Sequence, residues 1–177
     1  MAKSILISTF FLLSATIIES SILSNISFLF VIPDLVLMCS IYFSLLNGKI
    51  VGETTGFFSG LFLDFVSGLP LGFNCLIRTI IGYLFGLFSG SVIITGILVP
   101  VLSVGIGTVL KVILIQLVTL FFPNVSIYVT GLFSYEFLFE LGINIILAPL
   151  VFKFLSLFRH SLAVVTTQEK VDSVQQQ

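Results

Sequence analysis

The chain has 177 residues, of which 58% are hydrophobic and only 8% are charged, and its formal net charge is −1. Soluble domains carry charges on about a quarter of their residues, so a soluble fold could not hide this much apolar surface from water. The charge balance also gives no basic surface for nucleic acid. We therefore expect an integral membrane protein whose solvent is the lipid bilayer.

Long apolar stretches separated by turn residues predict an all-α protein with about six transmembrane helices. The predicted helices cover residues 5–24, 34–47, 50–66, 72–90, 97–122 and 132–157. Pro100 and Pro149 are expected to kink or shorten the last two. The predicted organisation is one transmembrane domain of residues 1–160, followed by a polar tail of residues 161–177 whose composition predicts disorder.

The distribution of basic residues predicts the orientation, because cytoplasmic loops are enriched in Lys and Arg. With six crossings, five basic residues fall on the side of the N-terminus, namely Lys3, Lys49, Lys153, Arg159 and Lys170. The loops 67–71 and 123–131, on the opposite side, contain neither Lys nor Arg. We therefore expect both termini in the cytoplasm.

The third and fourth predicted helices carry small residues at intervals of four. The third contains Gly52, Gly56, Gly60 and Asp64, and the fourth contains Arg78, Gly82, Gly86 and Gly90. Small residues at this spacing let two helix backbones approach closely. Counting from the short loop between the helices puts Asp64 and Arg78 at similar depths, so we expect an ion pair that locks this hairpin. Helix packing alone explains such a pair without any ligand.

A second set of polar residues joins the fifth and sixth predicted helices. Depth estimates match Lys111 with Glu140 near the middle of the membrane, and Glu136 and Asn144 lie on the same helix face as Glu140. This pair either holds the helices together or forms part of a proton or ion path. Glu19, in the first helix, has no evident partner within the membrane.

The sequence offers no candidate catalytic, cofactor-binding or metal-binding residues. The single histidine, His160, follows the last predicted helix, and no Cys or carboxylate motif surrounds it. Cys39 and Cys75 lie in apolar segments without neighbouring metal ligands. The glycines recur at helix-packing spacing and do not form a phosphate-binding loop. We therefore expect neither an enzyme nor a bound cofactor.

Several segments resemble one bacterial family. Pro33, Asp34 and Leu35 open the second helix, and the segment 56–72 closes the third with the sequence GFFSGLFLDFVSGLPLG. Ile81-Gly82-Tyr83-Leu84 follows in the fourth helix, and the segment 144–149 of the last helix combines an asparagine, apolar residues and a proline. Together these features resemble the family of the rod shape-determining protein MreD.

The resemblance implies a non-enzymatic subunit of the cell-elongation machinery in the bacterial plasma membrane. Its implied partners are MreC and the wall synthases of the rod complex, with an indirect link to MreB filaments and so to peptidoglycan synthesis. The resemblance also implies a fold related to the substrate-binding subunits of energy-coupling-factor vitamin transporters. A small-molecule binding subunit is therefore the alternative, although Ala15 lacks the Ala-x-x-x-Ala spacing typical of such subunits. A third class, an ion-coupled carrier, would rest on Lys111 and Glu140 alone.

Overall fold

The computed structural model describes residues 2–21, 32–92, 94, 96–121, 131–132 and 134–159. All regular secondary structure in these ranges is helical, and the helices are α1 (Ala2–Ser21), α2 (Leu35–Asn47), α3 (Lys49–Ser67), α4 (Phe73–Leu87), α5 (Leu98–Phe121) and α6 (Tyr135–Ser156). The prediction of six helices is thus confirmed. The predicted tail, 161–177, lies outside the described residues.

The helices differ in their capacity to cross a membrane. Among the described residues, three segments are long and apolar enough to do so, namely residues 4–21 of α1, all of α5 and all of α6. Helices α2 and α4 are apolar but shorter. The 13 residues of α2 extend about 20 Å at the α-helical rise, whereas the hydrocarbon core is about 30 Å thick. We infer that α2 begins at membrane depth.

Helix α2 lies at the centre of the bundle. Its residues are buried without interruption from Val36 to Leu45, which is typical of a helix surrounded by protein on every side. It contacts each of the other five helices. On the α6 side, the rings of Tyr42 and Phe152 pack edge to face with centroids 5.2 Å apart. Helix α2 therefore connects the group formed by α1, α3 and α4 to the hairpin of α5 and α6.

Helices α3 and α4 pack closely through their glycines. A Cβ atom added to Gly56 would lie 2.5 Å from the carbonyl oxygen of Arg78, and one added to Gly60 would lie 2.6 Å from that of Asn74. Gly52 and Gly82 face each other's backbone in the same way, and Gly86 faces the backbone of Lys49. Gly90 is not part of this contact, because α4 ends at Leu87 and Gly90 adopts a positive φ of 83°.

Replacing Gly60 by alanine is expected to lower the free energy of unfolding by about 1–3 kcal/mol, because the added methyl group would overlap the backbone of α4. Gly142→Ala is the matched control, since a Cβ atom at this α6 position meets no atom within 4 Å. Alanine should stabilise a helix there by up to about 1 kcal/mol. Thermal unfolding in mild detergent measures both variants. Equal midpoints would contradict the close contact.

Candidate functional site

A chain of buried and partly buried charged side chains crosses the bundle at the start of α2. The carboxylate of Asp34 accepts hydrogen bonds from Nη2 of Arg78, at 3.0 and 3.3 Å, and from Nζ of Lys111 at 2.9 Å. Lys111 also donates to the carboxylate of Glu140. Arg78 belongs to α4, Lys111 to α5 and Glu140 to α6. Asp34, which is only 4% exposed, therefore ties three helices to α2.

Hydrogen bonds at the first turn of α2 hold Asp34 in position. Its side chain accepts a hydrogen bond from the backbone N–H of Leu37 at 2.8 Å, which makes it the N-cap of α2. Its own backbone N–H donates to Oδ1 of Asn144 at 3.0 Å. The Nδ2 atom of Asn144 in turn donates to Oγ1 of Thr108 at 3.2 Å. The first turn of α2 is therefore fixed by two residues of the α5–α6 hairpin.

Helix α1 reaches the same turn through Glu19. Its Oε2 atom accepts a hydrogen bond from the backbone N–H of Val36 at 3.2 Å. The first N–H groups of a helix have no partner within the helix, so a carboxylate at this position satisfies one of them. The partner that the sequence did not reveal for Glu19 is thus a backbone group. We use "charged cluster" below for Glu19, Asp34, Arg78, Lys111 and Glu140.

The predicted ion pair between Asp64 and Arg78 is wrong. Asp64 is 1% exposed, and its carboxylate accepts hydrogen bonds from the backbone N–H groups of Gly72, Asn74 and Cys75 at 2.9, 2.8 and 3.3 Å. The loop after α3 folds back over Asp64, so this carboxylate satisfies the free donors at the start of α4. Arg78 lies about one turn further along α4 and points to α2. The sequence matched Asp64 and Arg78 by their depth in the membrane. Depth alone does not determine which neighbouring helix a side chain faces.

The remaining predicted site residues fall into two groups. The structure brings Lys111 and Glu140 together, and Asn144 joins them through Asp34. Glu136 is exposed in the first turn of α6, where a negative charge complements the helix dipole. Cys39 and Cys75 are buried free thiols. No group of three or more His, Cys, Asp or Glu side chains suited to a metal ion occurs within the described ranges.

The cluster is organised for ion pairing. Asp34 and Glu140 face the two cations Arg78 and Lys111, so these four charges balance. Charges inside a membrane are expensive unless they are paired in this way. Within the described part of the chain, Nε and Nη1 of Arg78 are buried without a hydrogen-bond partner. The arrangement therefore joins five helices around the buried end of α2.

Comparison with known proteins identifies the family. The family model for the rod shape-determining protein MreD matches residues 2–158, which is nearly the whole chain. No curated protein and no solved structure matches the chain. The expected relationship to the substrate-binding subunits of vitamin transporters therefore stays a prediction. By the family match, the chain belongs to the MreD family of non-enzymatic membrane proteins that take part in determining rod shape.

Proposed function

We propose that this protein is a binding subunit of the rod complex in the bacterial plasma membrane. In this role it holds an MreC-like partner next to the wall synthases, and so links MreB filaments indirectly to peptidoglycan synthesis. The observation that carries the proposal is the family match over residues 2–158. The ion pairs among Asp34, Arg78, Lys111 and Glu140 support it, because paired charges hold a scaffold together without performing chemistry.

The proposal includes six crossings with both termini in the cytoplasm. Lys49 begins α3, and Lys153 and Arg159 lie in or after the last turn of α6, so these exposed cations share one end of the bundle. Arg78 and Lys111, by contrast, are engaged in the charged cluster. An excess of exposed Lys and Arg at one end is typical of the cytoplasmic side.

We further propose that the partner's transmembrane helix lies in a groove between α4 and α5. The volume of this groove is about 420 Å³, and the described residues that line it are apolar except for Ser103. The α5 residues that line it are Val99, Leu102, Ser103, Ile106 and Leu110. Each of the first four is followed three or four residues later by another of the five, so they share the helix face that a second helix packs against. Leu102 and Ile106 are more than half exposed and form the open edge of the groove.

Co-purification in mild detergent tests this proposal. The tagged protein is expected to recover an MreC-like partner, and the double variant Leu102→Ala with Ile106→Ala should recover less of it because the groove edge loses contact area. The matched control is Leu117→Ala with Leu120→Ala, two exposed residues further along the same helix. This control should recover as much partner as the unmodified chain.

Equal recovery by the groove variant and the control would contradict the assignment of the groove. Recovery of an energising ATPase with a membrane coupling subunit, in place of the MreC-like partner, would contradict the rod-complex proposal and favour the vitamin-transporter alternative.

A further inference from the structure

A second groove lies between the start of α5 and the end of α6. Its volume is about 430 Å³, and its apolar lining includes Ile94, Ile97, Leu150 and Phe152. The space arises because three other lining positions, Gly96, Pro100 and Pro149, carry little or no side-chain bulk. Lys153 and Ser156 complete the lining, and both are exposed. The groove is thus apolar inside and polar at the position where α6 ends.

Charge at this end of the bundle favours an anionic occupant. Among the described residues that line the groove, Lys153 alone is charged. Lysine at a membrane interface lays its apolar stem along the protein and extends its ammonium group to the headgroup level. Lys49 and Arg159 are exposed at the same end. Of the described carboxylates, only Glu53 lies towards this end, and it belongs to α3, which does not line the groove.

We propose that this groove binds an anionic phospholipid. An acyl chain packs against the apolar lining, and the phosphate of the headgroup pairs with Lys153. The lipid belongs to the leaflet at this end of the bundle, which is the cytoplasmic leaflet in the orientation proposed above. A phospholipid fits better than a protein segment because the groove joins an apolar interior to a single cation at the interface. This site does not depend on the partner helix.

Fluorescence quenching by brominated lipids tests the proposal, because the chain contains no tryptophan. Ile97→Trp places a single indole at the groove, at a position that is 70% exposed. The full chain is reconstituted in phosphatidylcholine vesicles with a minor fraction of either brominated phosphatidylglycerol or brominated phosphatidylcholine. One interfacial lysine should enrich the anionic lipid about fivefold at the site. Brominated phosphatidylglycerol is therefore expected to quench more strongly at the same mole fraction.

Two comparisons make the experiment specific. In the Ile97→Trp background, Lys153→Gln should abolish the preference for phosphatidylglycerol, whereas Lys49→Gln, which removes an exposed lysine at the same end, should leave it. Leu120→Trp, at a 79% exposed position near the other end of α5, should respond equally to both brominated lipids. Equal quenching of the Ile97→Trp protein by both lipids, or a preference that survives Lys153→Gln, would overturn the proposal.

Discussion

Replacing Asp34 by alanine is expected to lower the free energy of unfolding by about 3–5 kcal/mol, the usual cost of breaking a buried ion pair. The substitution leaves Arg78 and Lys111 with only the carboxylate of Glu140 as a paired counter-charge. It also removes the N-cap of α2, which contributes about 1 kcal/mol in most helices. Protein level in cells and the unfolding midpoint in detergent measure the effect.

Two further variants separate the contributions of Asp34. Asp34→Asn keeps a side chain that can cap α2 but removes the charge, so most of the loss should remain. The double variant Asp34→Asn with Arg78→Met should recover much of the stability, because Lys111 and Glu140 then form a balanced pair. A single Asp34→Ala variant with unchanged level and midpoint would contradict the central role of this carboxylate.

Replacing Asp64 by alanine is expected to have the second-largest effect. Three backbone N–H groups at the start of α4 would lose their acceptor. An unsatisfied buried donor costs about 1–3 kcal/mol, and less where water can reach it. Two of these three hydrogen bonds are only partly buried, so we expect a smaller total loss than for Asp34→Ala. Asp64→Asn retains one carbonyl oxygen and should fall between the alanine variant and the unmodified chain. Unfolding midpoints of the three proteins, measured under one condition, test this order.

A charge exchange distinguishes this cap from the ion pair that the sequence suggested. Asp64→Arg combined with Arg78→Asp should be no more stable than either single variant. In the double variant, an arginine would face the free N–H donors of α4, and an aspartate would lie beside Asp34. Recovery of protein level by the exchange would show that Asp64 and Arg78 interact directly after all.

Patterns along one helix predicted the parts of this structure that depend on backbone spacing. The lengths of the apolar segments predicted the helices, and the four-residue interval between glycines indicated the contact between α3 and α4. Both predictions follow from helix geometry alone. The Lys111 and Glu140 side chains could be matched since their helices are neighbours in sequence, and depth counted from one loop sufficed.

The centre of the cluster could not be predicted in this way. Asp34 contacts residues that lie 44, 77 and 110 positions away in the chain, and depth counting does not indicate which helices surround α2. A local signal was nevertheless present. Aspartate directly after proline at the start of a short apolar helix is typical of an N-cap, and an N-cap on a helix too short to span the bilayer indicates a buried carboxylate that needs cations.

These sequence separations bear on how the protein is made. Helix α2 is synthesised before α4 and α5, which carry the two cations that pair with Asp34. The ion pair with Lys111 and the hydrogen bond to Asn144 can therefore form only after α5 and α6 have been synthesised. Until α6 is synthesised, the backbone N–H of Asp34 lacks its acceptor Asn144, and Lys111 lacks Glu140.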